Sequence, residues 1–181
     1  MYSLKVDDEI ELRSFTEKDA AEIAKLAREN YEHLRPFIHW ATKNYSLGTA
    51  RDFIERTEKA FAEKTGQTFG IFQNEKIIGA ISFVVFNWKS RRTEIGYWID
   101  KECEGRGIVI NSCKVLINHA FQKLEMNRIE IRCAMENTRS RRIPERLNFK
   151  LDGILRQSEW RHTRFFDMAI YSLLAEEWKQ W

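Results

Sequence analysis

Three strand-like runs follow one another between residues 67 and 100: QTFGIFQ, KIIGAISFVVF and RRTEIGYWID. No helical pattern separates them. The four-residue link QNEK (73–76) makes the first two a hairpin. A doubly wound fold inserts a helix after each strand, so this arrangement excludes a Rossmann-type repeat. The remaining segments fall around that block. IELRSF (10–15) alternates as a strand, and Thr16 opens a helix over 16–30 with Asp19 three residues on, as in a capping box. The segment 31–45 is rich in aromatics and interrupted by Pro36, and a second helix spans 48–64. After residue 107, Val109, Ile110, Cys113, Leu116, Ile117, Ala120 and Phe121 recur at spacings of three and four, giving one apolar helical face. RIEIRCAMEN (128–137) is a strand and TRSRRIPERLN a short helix that Pro144 either delays or distorts. KLDGILRQSEW and FFDMAIYSLL form a final strand pair. The order β-α-α-β-β-β-α-β-α-β-β defines a mixed α/β (α+β) class, read as one domain over 1–181. With 43% hydrophobic and 13% aromatic residues the chain can bury a sizeable core.

The chemistry concentrates in DKECEGRGIV (100–109), which places Gly105 and Gly107 between a strand and a helix. A helix N-terminus leaves about four N–H groups unpaired and carries roughly half a positive charge. It is an anion site wherever backbone can approach closely. Two glycines remove the Cβ atoms from that approach, and Arg106 adds a cation. A dinucleotide fingerprint would need glycine at 110, which is Ile, and the Gly-Lys-Ser/Thr of a P-loop is absent. Two readings remain: a pyrophosphate cradle, or a tight strand-to-helix turn.

EIGYWIDKECEGRGIVINSCKVLINHAF resembles the acetyl-CoA signature of the GNAT acetyltransferases, Q/R-x-x-G-x-G/A after a strand and opening a helix. HLRPFIHWA, ENTRSRRIPERLNFKLDGILRQ and DMAIYSLLAEEW resemble further segments of the ribosomal-protein N-terminal acetyltransferases of the RimJ/RimL type, in the same order along the chain. Glu104 departs from the signature's Gln or Arg, and Val109 from its Gly or Ala. The resemblance implies a mixed central sheet whose parallel neighbours, 91–100 and 128–137, splay apart between flanking helices. It implies acetyl-CoA as co-substrate, its diphosphate on Glu104, Gly105, Arg106, Gly107, Ile108 and Val109. The pantetheine would lie against backbone near Trp98, Ile99 and Asp100 and bond to Asn137, unless Asn137 is a helix cap. Ser140 would assist the departing thiolate, or else cap the helix itself. Glu159 would take the amine's proton, or else be a surface glutamate among arginines. Arg35, Phe37 and Trp40 would line the acceptor cleft, or else belong to a packed loop. No tyrosine lies between Ser140 and Phe149 to act as the acid used by other members.

The implied reaction is acetyl transfer to a primary amine, with a protein N-terminus as first acceptor and a small amine as alternative. An acyl-enzyme is disfavoured because Cys103 and Cys113 have no evident base partner. Two other classes compete: a non-catalytic acyl-CoA-binding module, and an RNA- or ribosome-binding protein using the basic stretch 139–164. The candidate partners are therefore acetyl-CoA, an amine acceptor, the ribosome and a second copy of the chain. Three scattered cysteines argue against a disulfide framework, and no Cys/His cluster suggests a metal. The charged N-terminus is unlike a signal peptide and no apolar run could span a bilayer, so the expected location is the cytoplasm, away from membranes.

Overall fold

The computed structural model describes residues 2–180. One eight-stranded sheet runs in the order β1-β2-β3-β4-β5-β6-β8-β7. The strands are β1 (Ser3–Lys5), β2 (Ile10–Arg13), β3 (Gln67–Gln73), β4 (Lys76–Asn87), β5 (Arg92–Ile99), β6 (Arg128–Ala134), β7 (Lys150–Arg161) and β8 (Arg164–Leu174). The helices are α1 (Ala20–Glu29), α2 (Tyr31–Leu34), α3 (Leu47–Ala62), α4 (Ile108–Gln122) and α5 (Thr138–Arg146). Two short elements escape the sequence pattern, β1 and the single turn α2. Neither is long enough to show a period.

The capping box forms as expected. Asp19 accepts from the Thr16 N–H at 2.7 Å, and a 3₁₀ turn over Glu17–Asp19 leads into α1. Helix α3 starts one residue earlier than its apolar pattern suggests, because Ser46 caps it by accepting from the Thr49 N–H at 3.0 Å. Ile23, Ala24, Ala27, Ala50 and Ile54 of α1 and α3 bury their apolar stripes on one face of the sheet, against Phe72, Ile77 and Ala80. The stripe of α4 predicted from spacing is buried on the opposite face, with Cys113, Leu116, Ile117 and Ala120 fully enclosed beside Ile95, Ile129 and Ile131.

The sheet is continuous except at its one parallel pairing. Strands β5 and β6 pair only at Arg92↔Arg128, Thr93↔Ile129 and Glu94↔Glu130. Beyond that point β5 stays paired with β4 as far as Ile99, and β6 with β8 as far as Ala134. The two halves of the sheet diverge, which is the splay that the resemblance implies.

A charge cluster sits where the pairing stops. Glu130 is 4% exposed and accepts from Arg92 Nη1 at 3.1 Å, Arg128 Nε at 2.8 Å and Arg132 Nη2 at 3.2 Å. Glu94, opposite it, pairs with Arg132 Nε at 3.2 Å. Burial alone would raise the Glu130 carboxyl, but the three guanidinium hydrogen bonds outweigh it and hold it below its ordinary value. A depressed folded-state pKa stabilises above the unfolded-state value of about 4.3, and that contribution disappears as pH falls through the folded value. Glu130→Gln should therefore lower the melting temperature most at neutral pH. The gap to the wild type should narrow as pH drops from about 4.3 and close only below the depressed folded-state value, where both carry a neutral side chain. Thermal denaturation of both proteins from pH 7 to pH 3 measures this.

Candidate active site

The divergence of β5 and β6 opens into a cavity of about 500 Å³. The floor comes from β5 (Tyr97, Trp98, Ile99). One wall is the loop and N-terminus of α4 (Cys103, Glu104, Gly105, Gly107, Ile108, Val109, Ile110). The opposite wall is α5 (Asn137, Arg139, Ser140, Arg142, Ile143, Arg146), and α2 with its following turn closes one side through His33, Leu34, Phe37 and Ile38.

The loop before α4 has the conformation that a close anion approach requires. Gly105 and Gly107 sit at φ +75° and +78°, and a Cβ at either position would meet no atom within 4 Å. The glycines therefore relieve no internal clash; they keep open space open and hold left-handed backbone at low cost. The first bond of α4 runs from the Asn111 N–H to the Gly107 carbonyl at 3.0 Å, leaving the N–H groups of 108–110 without intrahelical partners at the cavity wall. These residues fit a diphosphate. Glu104, the departure from the signature, is held by Arg139 Nη1 at 2.5 Å and His33 Nε2 at 3.1 Å.

Asn137 caps α5, its side chain accepting from the Ser140 N–H at 3.1 Å, and it also lines the cavity, so the two readings of it are compatible. Ser140 is not the cap. It is the third residue of the helix, in its first turn, with its hydroxyl 3.2 Å from Cys133 Sγ and 3.3 Å from Tyr97 Oη. Phe37 reaches the cavity and packs on Phe166 at 6.4 Å between ring centroids. Arg161 of β7 donates to the Phe37 carbonyl, clipping the β7–β8 hairpin to that turn.

Five expected residues lie outside the lining. Asp100 accepts from the Glu102 N–H at 3.1 Å and shapes the loop instead. Arg106 turns away to Gln73 Oε1 at 3.3 Å. Arg35 is exposed, paired with Glu32 at 3.0 Å and stacked over Tyr31. Trp40 packs edge-on to Trp98 at 5.5 Å, partly buried against the α1–α3 core. Glu159 is exposed on β7, in register with Phe166.

Sequence reading missed Tyr97, Cys133 and the His33–Glu104–Arg139 cluster. Tyr97 was hidden inside a strand 43 residues before the serine it contacts. Burial drives the Tyr97 phenol well above its ordinary range, and burial also raises the thiols of Cys133 and Cys113. Raised thiols are poor nucleophiles, which favours direct attack by the amine over an acyl-enzyme. Among the described residues no group of three His, Cys, Asp or Glu side chains is arranged to hold a metal, and no helix is long and apolar enough to cross a membrane.

Residues 9–150 match the family model described as acetyltransferase (GNAT) domain. YdaF of Bacillus subtilis, provisionally named a ribosomal N-acetyltransferase, is 35% identical over 180 residues, 99% of this chain and 98% of that protein. The ribosomal-protein-serine acetyltransferase of Escherichia coli is 27% identical over 96% of this chain and 97% of its own length. The microcin C7 self-immunity acetyltransferase MccE, solved with acetyl-CoA and AMP, superposes with a TM-score of 0.90 at 27% identity, covering 94% of this chain and 95% of that one. The chain belongs to the GNAT acetyltransferase family.

Gly107→Val should weaken acetyl-CoA binding by about 10²-fold, on the scale of losing charge-assisted bonds to phosphate, since a branched side chain at φ +78° fills the approach and resists the left-handed backbone. Calorimetry on the folded variant tests this; wild-type affinity would rule out the cradle.

Proposed function

We propose that this protein transfers the acetyl group of acetyl-CoA to the α-amine of a protein N-terminus, with ribosomal proteins as the first class to test. The observation that carries the reading is the cavity itself. It joins the α4 N-terminus to the gap between β5 and β6 and ends beside Phe37 at the β7–β8 hairpin, so a phosphate-bearing donor and an amine can meet in one channel. The ribosomal names of two relatives that align over nearly the whole chain support this acceptor class. Such an acceptor puts the reaction in the cytoplasm, near ribosomes.

In this reading the N–H groups at 105–110 and the arginines of α5 hold the diphosphate, and Asn137 contacts the pantetheine arm. Ser140 donates a hydrogen bond to the thiolate as the C–S bond breaks. Glu159 lies one alternation from Arg161, on the hairpin face that meets Phe37. From there it takes the amine's proton through water.

An α-amine has a pKa of about 7.7–8.0 against about 10.4 for lysine, so at pH 7 the neutral fraction differs by a few hundred-fold. A peptide with a free N-terminus should be acetylated at least about tenfold faster than the same peptide blocked there and carrying lysine. Equal rates, or faster reaction of a small amine than of any peptide, would count against the assignment. Glu159→Gln should lower the rate at pH 7 by about 10²–10⁴ and recover part of it at higher pH, where more amine arrives neutral. A flat comparison at pH 7 would leave Glu159 as a surface residue.

A further inference from the structure

Ser140 carries its hydroxyl into the cavity, but a serine proton can point in several directions. Its surroundings determine which. Helix α5 contains Pro144, four residues after Ser140. Proline has no N–H, so the Ser140 carbonyl lacks the i+4 donor that a helix normally supplies. That acceptor is not left unpaired: the Tyr97 hydroxyl donates to it from β5 at 3.0 Å. A phenol has one proton. With that proton on the carbonyl, Tyr97 Oη offers only lone pairs to Ser140 Oγ, 3.3 Å away. Ser140 must therefore be the donor in that second contact. Cys133 Sγ, at 3.2 Å on the other side, then donates its S–H to Ser140 Oγ.

We propose that Tyr97 and Pro144 together form a positioning device for Ser140, in which the proline vacates a helical carbonyl, the phenol occupies it, and the serine proton is thereby held facing the cavity side of β5. The inference rests on the role given to Ser140 under the proposed function. The Oγ–Oη separation is long for an O–H···O bond. Little is lost when the hydroxyl turns from Tyr97 to a thiolate, while the Cys133 S–H continues to satisfy the oxygen. The phenol also ties the first turn of α5 to β5. Arg141 Nε and Glu145 Oε1 meet Tyr171 Oη of β8 at 3.0 and 2.8 Å, which ties the same helix to the other half of the sheet.

The test is a double-mutant cycle read in kcat, with acetyl-CoA affinity and melting temperature measured on every variant. Tyr97→Phe keeps the ring and removes the hydroxyl. Its kcat should fall about tenfold while acetyl-CoA Kd stays within about twofold, as expected when a transition-state contact is misaligned. In a Ser140→Ala background the same change should have no further effect on kcat, because the two act as one unit. Pro144→Ala approaches the contact from the other side. It returns an N–H to the Ser140 carbonyl, displaces the phenol's proton, and should lower kcat severalfold without weakening acetyl-CoA binding. Full additivity of Tyr97→Phe and Ser140→Ala would overturn the proposal. So would a wild-type kcat in Tyr97→Phe or Pro144→Ala while Ser140→Ala is slow. A wild-type kcat in Ser140→Ala itself would overturn the proposed role of the serine as well, and so identifies which of the two ideas has failed.

Discussion

Everything the site needs follows from a parallel pairing that stops after three residues. At its last step the register sets Glu94 directly against Glu130, two carboxylates on neighbouring strands. Like charges in that position repel, and burial makes the repulsion costlier. Arg92, Arg128 and Arg132 neutralise the pair and hydrogen-bond to it, so the strands are held at this level. Past it, β5 and β6 each keep their outer partner and lose one another. The diverging inner edges leave backbone groups of 95–99 facing a gap. Such groups must find partners, and an extended amide-bearing chain such as pantetheine can supply them.

A gap in a sheet also needs something to span it, and α5 does so. Tyr97 reaches it from β5 and Tyr171 from β8. The proline that would ordinarily damage such a short helix frees the carbonyl that Tyr97 uses. A feature that reads as a defect when the helix is considered alone becomes an attachment point once the strand beside it is known. Helix α5 also presents Asn137, Arg139, Ser140, Arg142, Ile143 and Arg146 to the cavity. The element that closes the gap thus supplies much of its chemistry.

The long elements were legible because their periods are long: the α4 stripe, the three consecutive strands and the final hairpin each repeat often enough to be read. The strand β1 and the turn α2 were not, since three or four residues carry no period. Among site residues, the glycine loop, Asn137 and Ser140 could be placed from local pattern and resemblance, because each sits at the end of a recognisable element. Tyr97 could not. In a strand it looks like any aromatic, and only the topology that places α5 on β6 and β8, beside the open edge of β5, brings it to Ser140. Arg35 and Trp40 lie outside the cavity lining for the converse reason. Their segment faces the cavity, but it winds in helical turns, and only His33, Leu34, Phe37 and Ile38, spaced three and four apart, turn inward.

The departure at Glu104 is explained by its partners. An isolated carboxylate beside a diphosphate would oppose binding, but this one is bound to Arg139 and His33. It joins α5 to α2 across the cavity mouth, and its charge is partly spent before any phosphate arrives. The lining holds three arginines, Arg139, Arg142 and Arg146, against this single carboxylate. The balance still favours an anion, and the unpaired N–H groups at the start of α4 add to it without depending on any side chain. Val109, the second departure, is 8% exposed and packs into the core. Its side chain points away from the loop while its N–H remains at the cavity wall. Both departures change side chains at positions where the backbone N–H groups, not the side chains, would meet a phosphate.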